Sequence, residues 1–479
     1  MAGLPAVHWS GCASSKDIVS LLVKGARIVT ACDDYVADAH AEGETITTIG
    51  RQLDIPADVV LDGTGLYLLP GGVDPHVHLD FPFGDTKTSD NVQTGTIAAA
   101  FGGTTTVVNF TQQLPGERLQ ATLERGLDTA EGNAAVDYGY HLIVTSLDEQ
   151  TLPDLDTLVA DGVTSVKLFM AYPGLVMVDD RTLFQVLERT ASLGALTCVH
   201  AENGDVIDVL VQRALAAGRT GPAWHGRTRP ELAEAEATHR AIALAEMADA
   251  PVYFVHLSCR EALDEVTRAR DRGRPVYAET CPHYLYLDDR VYDEQGGFDV
   301  AKYVLTPPLR PAHHQAHLWR GLRNDDLSVV STDHCPFCLK GQKTLGVGDF
   351  SKIPNGGPGI EHRLVLLHSG GVVAERLSLR RMVEVFSTAP ARLFGLFPSK
   401  GTIAVNSDAD LVLFDAGATH TLSAATHNMN VDYSLYEGMA VTGKVTSVIA
   451  RGKVIVEEGK YVGRPGDGRY FKRGPSGRG

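Results

Sequence analysis

The feature that most constrains the fold is a rhythm of short β-branched runs, with amphipathic stretches typical of helices between them, from about residue 70 to about residue 330. Strands that alternate with helices form parallel sheets, and eight β/α units close a barrel. The runs are residues 71–79, 104–110, 137–144, 165–170, 195–201, 251–257, 274–280 and 327–333. We therefore expect an α/β fold built on a (β/α)8 TIM barrel.

The two ends of the chain depart from this rhythm. Residues 17–68 and 397–463 contain short runs of alternating apolar and polar residues, separated by Gly and Asp-Gly turns. Neither segment can easily close a sheet alone, so we expect both to pair into one small β-sandwich beside a barrel of residues 69–396. Residues 464–479 are rich in glycine, proline and basic side chains, which predicts a flexible tail or an inter-subunit arm.

Charge and cysteine content exclude several classes of function. The net charge of −16 argues against binding to nucleic acid or to anionic membranes. No apolar run is long enough to span a bilayer, and the N-terminal residues lack the basic start and apolar stretch of a signal peptide. An odd number of cysteines, seven, favours reduced thiols over a disulfide framework. These observations predict a cytoplasmic protein.

The strongest local signal is the pair His76 and His78 in DPHVHLD, at the end of the first run. Residues two apart on a strand face the same way, so both imidazoles can bind one metal ion. Taken alone, the pair is as consistent with one packed histidine and one in a turn. The metal interpretation gains strength because further runs carry metal-competent groups toward the same rim, where barrel active sites lie. These groups are Lys167, His200, His256 and Asp333.

Lys167 lies inside the apolar run SVKLF, where a charged ammonium is costly to bury. One interpretation is that its stem is buried while the amine reaches water. The other is that burial lowers its pKa, so that the neutral amine adds carbon dioxide and the carbamate bridges two metals about 3.5–4 Å apart. Imidazoles, a bridging oxyanion and a carboxylate suit zinc, with manganese or cobalt as substitutes. A bridging hydroxide would then be the nucleophile.

Longer strings resemble the D-hydantoinase and dihydropyrimidinase family of the amidohydrolase superfamily. They are FMAYPG, ETCPHYL, TPPLR, DFSKIPNGGPGIEHR and KGTIAVNSDADLVLFD, in family order between about residue 18 and about residue 465. The resemblance implies a barrel with a β-sandwich made from both chain ends. It also implies metal-dependent opening of the ring amide of hydantoins or dihydropyrimidines, which are cyclic ureides, to N-carbamoyl amino acids, by a homotetramer or homodimer.

The resemblance assigns a role to each candidate residue. It places His76, His78 and Asp333 on a first metal, and His200 and His256 on a second. Carboxylated Lys167 would bridge the two ions.

The substrate side of the site follows from the same resemblance. Tyr172 would polarise the scissile carbonyl, and Asp333 would carry a proton from the water to the leaving ring nitrogen. Main-chain groups around Thr306 and Asn355 would hold the ring amide. Phe169, in one of two loops over the ring substituent, fits an apolar or aromatic group. The family often has serine where this chain has Thr306, which leaves main-chain contacts possible.

Two other functions compete with this one. Dihydroorotase-like and allantoinase-like enzymes are also cyclic amidohydrolases, but relatives that bind an anionic substrate usually carry arginine just after the HxH pair. Leu79 and Asp80 stand there in this chain. A non-catalytic scaffold relative would have lost metal ligands, whereas all six positions are filled here.

Overall fold

A computed structural model describes residues 19–148 and 151–476. Its strands are β1 Ser20–Val29, β2 Asp34–Glu42, β3 Thr45–Gly50, β4 Val59–Asp62, β5 Tyr67–Pro70, β6 Gly72–Val77, β7 Pro82–Phe83, β8 Thr86–Lys87, β9 Thr104–Gln112, β10 Asp137–Ile143, β11 Ser165–Phe169, β12 Leu196–His200, β13 Val252–Phe254, β14 Val276–Thr280, β15 Val329–Val330, β16 Leu411–Thr421, β17 Ala440–Ala450, β18 Lys453–Glu457 and β19 Lys460–Tyr461. Its α-helices are α1 Val92–Phe101, α2 Leu119–Ala130, α3 Thr151–Ala160, α4 Asp180–Leu193, α5 Gly204–Ala216, α6 Trp224–Arg227, α7 Glu231–Met247, α8 Arg260–Asp271, α9 Pro282–Tyr286, α10 His313–Asn324, α11 Arg363–Leu366, α12 Leu379–Val383 and α13 Ala389–Leu393. Short 3-10 turns occupy Asp289–Val291, Glu294–Tyr303, Lys343–Gly346 and Phe350–Lys352, and π-helical turns occupy Leu367–Val373 and Glu384–Thr388.

The predicted barrel is confirmed, and each of its eight strands overlaps one of the runs identified in the sequence. In the described part of the chain the strands lie in sequence order, from β6 through β9 to β15, and all are parallel. The barrel closes where Val77, the last residue of β6, forms a parallel β-bridge with His334, which follows β15. Side chains reinforce this closure, since Thr332 Oγ1 donates to Asp74 at 2.6 Å.

The sequence explains why these segments form strands and helices. Strands β6, β9, β10, β11 and β12 are buried on both faces, which favours continuous β-branched and apolar runs. Helix α4 begins at its N-cap Asp179, whose side chain accepts from the Thr182 amide, and ends at Gly194 with φ +68°. Within the described ranges, no helix is both long and apolar enough to cross a membrane.

The two chain ends join into one sheet, as predicted. The order of its strands is β19-β18-β17-β16-β5-β1-β2-β3, with β4 paired to β1. The junction lies between β5 and β16, which run antiparallel with Leu68 opposite Leu413. Side chains of β1, β2 and β3 share an apolar cluster with those of β16 and β17, so this sheet has a core separate from the barrel. Residues 17 and 18 of the predicted domain lie outside the described residues.

Residues 464–476, for which the sequence predicts a flexible tail or an inter-subunit arm, pack against the barrel of their own chain. At residues 469–471 the main chain pairs with β10, where the Tyr138 amide donates to the Arg469 carbonyl at 2.9 Å. Arg473 is 3% exposed and donates to Ser165 Oγ at 2.7 Å and to the Tyr140 carbonyl. The basic residues of this tail therefore include an arginine whose hydrogen bonds stabilise the barrel wall. Residues 477–479 lie outside the described part.

Replacing Arg473 with alanine is expected to destabilise the fold by about 2–3 kcal/mol, because buried acceptors on two barrel strands lose a charged donor. Urea unfolding of both proteins measures the change. Arg464→Ala is the matched control, since Arg464 is an exposed arginine of the same tail. Equal midpoints for the Arg473 variant and the wild type would show that the tail does not support the barrel.

Candidate active site

The structure brings the six predicted metal ligands together at the C-terminal rim of the barrel. His76 lies in β6, Lys167 in β11, and His200 is the last residue of β12. His78, His256 and Asp333 follow β6, β13 and β15 within three residues. The strand ends position each group because parallel strands finish at one edge of a barrel.

The first group consists of His76, His78 and Asp333. His76 Nε2 lies 3.0 Å from Asp333 Oδ1, and His78 Nε2 lies 3.3 Å from the same oxygen. The two Nε2 atoms are 3.2 Å apart. One ligand atom from each residue falls within 4.8 Å of the others, which makes this a cluster able to hold a metal ion.

The second group is the pair His200 and His256, in which His200 Nδ1 lies 2.8 Å from His256 Nε2. The other ring nitrogen of His200 contacts Glu202 Oε2 at 2.9 Å. On the first group, Glu279 likewise contacts His76 Nδ1. A carboxylate on the far side of an imidazole fixes its tautomer and leaves the inner nitrogen free to bind a metal.

Burial makes the imidazoles of His78, His200 and His256 suitable ligands. It lowers the pKa of His78 to about 3 and holds the pKa of His200 and of His256 below the usual value, so these rings are neutral at pH 7. Neutral rings offer lone pairs rather than repelling a cation. His78 Nδ1 and His256 Nδ1 are buried without a hydrogen-bond partner. The chemistry of this donor set fits divalent metal ions.

Lys167 lies against the first group, with Nζ 3.1 Å from His76 Nε2. It is 1% exposed, which excludes the interpretation that its amine reaches water. Burial lowers its pKa, although Asp333 and Glu279 oppose the shift. Nζ also lies 4.4 Å from the centre of the Phe110 ring and 4.7 Å from that of Phe169. Ring faces attract a cation, but desolvation by burial is the largest influence on the pKa of Lys167 and favours a neutral amine.

Asp333 is held as a carboxylate. Burial alone would raise its pKa, but the imidazole of His76 and hydrogen bonds from His76 and His78 outweigh burial and hold the pKa well below the usual value. Asp333 also has a positive φ of 47°, as do His256 at 41° and Tyr172 at 66°. Left-handed backbone is uncommon for these residue types and costs on the order of 1–3 kcal/mol each, which is typical of functional sites.

The predicted substrate residue Tyr172 lies beside the second histidine pair, with its ring centroid 5.8 Å from that of His200. Tyr172 Oη accepts from Asn355 Nδ2 at 3.1 Å. Thr306 Oγ1 lies 3.4 Å from His225 Nε2, so its side chain has a partner within the protein. The Phe169 ring stacks on His200 with centroids 5.0 Å apart. Burial raises the pKa of Tyr172, which keeps its hydroxyl protonated as a donor.

Comparison with known proteins agrees with this geometry. The sequence matches the amidohydrolase family over residues 67–455. It is 51% identical to a D-hydantoinase of Streptomyces coelicolor across 94% of this chain and 97% of that protein. It is 49% identical to a D-hydantoinase of Geobacillus stearothermophilus across 94% of this chain and 96% of that one. The fold matches the crystal structure of dihydropyrimidinase from Brevibacillus agri NCHU1002 with a TM-score of 0.95 and 50% identity, covering 96% of this chain and 100% of that chain.

The chain belongs to the hydantoinase and dihydropyrimidinase branch of the amidohydrolase family. For a member of this branch, His334 is a tempting extra ligand because it follows Asp333 directly. Its Nε2 instead contacts Asp90 at 3.0 Å, and its Nδ1 accepts from the Gly359 amide at 3.1 Å. Both ring nitrogens are therefore used in holding loops of this amidohydrolase together.

Sequence reasoning missed the two carboxylates behind the imidazoles of this amidohydrolase. Glu279 is the second-to-last residue of the seventh run, in which the sequence predicted no ligand, and Glu202 follows His200 by two residues. Both are 0% exposed. A carboxylate at the end of a barrel strand was the available signal, but only the structure shows which imidazole each one contacts.

Glu279→Gln is expected to weaken metal binding by about 10–100-fold, because the amide no longer holds His76 in its metal-binding tautomer. Metal retained during dialysis against a graded chelator series, quantified by mass spectrometry, measures the loss. Glu124→Gln, an exposed residue of α2, is the control. Retention equal to that of the wild type would contradict this role for Glu279.

Proposed function

We propose that this protein hydrolyses the ring amide of hydantoins or dihydropyrimidines to N-carbamoyl amino acids. The observation that carries the proposal is the convergence of four neutral or carboxylate-paired imidazoles with Asp333 and Lys167 at one rim. The relatives at 49–51% identity are named D-hydantoinases, which supports the same reaction class. The substrate is then a small cyclic ureide.

Two divalent metal ions belong to this proposal, with zinc as the first choice and manganese or cobalt as substitutes. His76, His78 and Asp333 would hold one, and His200 and His256 the other. The neutral amine of Lys167 would add carbon dioxide, forming an N–C bond and releasing a proton, to provide a bridging carbamate. When bound, such ions polarise a carbonyl and lower the pKa of water.

Asp333 and Tyr172 would carry the protein's part of the chemistry. The Asp333 carboxylate can accept a proton from the attacking water and return it to the leaving ring nitrogen. The Tyr172 hydroxyl, kept protonated by burial, can donate to the carbonyl oxygen as negative charge develops there. Asn355 orients that hydroxyl through the contact at 3.1 Å.

The substrate side favours an uncharged ring over an anionic one. Of the two residues after His78, Leu79 is 3% exposed, and Asp80 is a carboxylate that accepts from Lys87 Nζ at 2.9 Å. Neither position offers a cation to a substrate carboxylate, which argues against a dihydroorotase-like function. Phe169 would contact an apolar or aromatic substituent. A scaffold role is disfavoured because every ligand position is filled.

We also propose a homotetramer or homodimer in the cytoplasm, on the basis of the family resemblance. The cysteines of the described ranges are all free, which fits a reducing compartment. Sedimentation of the purified protein as a monomer would contradict the assembly.

The first test is ring opening of dihydrouracil, hydantoin and an aryl-substituted hydantoin, measured beside bound metal. We expect about two metals per chain and turnover of at least one substrate. Lys167→Ala should lose activity, and added short carboxylic acids should restore part of it by replacing the carbamate oxygens. Lys24→Ala, an exposed lysine of β1, is the control. No metal and no ring opening would overturn the proposal in favour of a scaffold.

Tyr172→Phe is expected to lower kcat by about 10²–10³-fold with little change in KM, because a donor to the developing oxyanion is lost. Steady-state kinetics on the best substrate measure both constants. Tyr35→Phe, at a partly exposed site in β2, should match the wild type. If the Tyr172 variant kept its kcat, another group would have to stabilise the oxyanion.

A further inference from the structure

Lys343 is a buried lysine outside the metal centre, and burial lowers its pKa to about 7. It is 0% exposed and lies in the 3-10 turn Lys343–Gly346. Its ammonium donates to three main-chain carbonyls, those of Val304 at 2.9 Å, Pro354 at 3.0 Å and Gly356 at 2.8 Å. An ammonium has three donors, so its hydrogen-bonding capacity is filled. Within the described residues, no carboxylate forms an ion pair with Lys343.

The three carbonyls belong to two segments on the substrate side. Val304 lies two residues before Thr306, while Pro354 and Gly356 flank Asn355. The segments also meet directly, since the Gly356 amide donates to the Val304 carbonyl at 3.0 Å. Asn355 in turn contacts the Tyr172 hydroxyl. Lys343 thus connects, through hydrogen bonds, two main-chain segments. In the proposed function these segments bind the ring amide of the substrate.

Packing alone does not explain a lysine at this position. Burying an ammonium is costly, and an apolar side chain of similar length would fill the space without that cost. Such a side chain would leave the carbonyls of Pro354 and Gly356 without this donor, free to turn toward other partners, and would leave the Val304 carbonyl with the Gly356 amide alone. What the cation adds is therefore a fixed direction for the carbonyls on both segments.

We propose that Lys343 is a positioning residue, which holds the segments around Thr306 and Asn355 in the relative geometry that binds the substrate ring. This inference rests on the proposed function, because it concerns the same site. Lys343 touches neither the metal ligands nor the reacting atoms in this arrangement. Its loss should therefore change substrate binding and leave the metal centre intact.

The test compares Lys343→Met, which has no donor, with Lys343→Gln, which keeps two. Lys352→Met is the matched control, because Lys352 lies in the neighbouring turn with an exposed side chain. We expect KM for ring opening to rise about 10–100-fold in the Met variant and less in the Gln variant, since small misplacements of gripping groups are costly. Metal content and kcat should change little, and the control should match the wild type.

A lower melting temperature with wild-type KM in both variants would overturn the proposal, because Lys343 would then serve stability alone. Hydrogen exchange of the Gly356 amide gives a second readout that needs no turnover. Faster exchange is expected in the Gln variant, which should fold even if the Met variant does not. If the wild type opened no ring, the proposed function would fail, while unchanged Gly356 exchange would separately refute the tie between the segments.

Discussion

A buried carboxylate at the end of β14 orders the strand ends on which the metal cluster depends. Glu279 contacts His76 Nδ1 from β6, accepts from the Tyr253 hydroxyl of β13 at 2.7 Å, and accepts from the His256 amide at 3.2 Å. A carboxylate in this position is tolerated only when donors surround it. These contacts fix the His76 imidazole of the first group and the main chain at His256 of the second, so the ligand geometry depends on the packing of the barrel interior.

Contacts in the rest of the protein offset the stability that is lost at the site. Left-handed backbone at Tyr172, His256 and Asp333, together with a buried lysine, would destabilise a loosely built domain. The barrel is closed by a buried arginine, Arg363, whose guanidinium donates to the Val73 carbonyl at 2.8 Å and also to the last strand. The two-ended sheet and the packed tail add further contacts at the opposite side of the molecule.

The metal ligands and the proposed substrate-binding groups lie on different kinds of structural element. Metal ligands sit in strands or within three residues of them, where neighbouring strands limit their movement. The groups assigned to the ring amide lie on loops, which require separate support, and Lys343 supplies it through main-chain carbonyls. Loops on a rigid barrel can vary in substrate preference while the chemistry at the strand ends stays the same.

The sequence by itself determined the eight strands and the metal-competent residues carried by five of them, because burial on both faces requires apolar β-branched runs that a pattern reveals. It also carried the strings that resemble a known family. Only the tertiary structure decided the partners of those residues. Glu279 and His76 are 203 positions apart, and Arg473 reaches Ser165 across 308. The periodicity of a sequence indicates which face of a helix or strand a side chain occupies. A buried charge, in contrast, is stabilised by donors and acceptors that folding brings from distant parts of the chain.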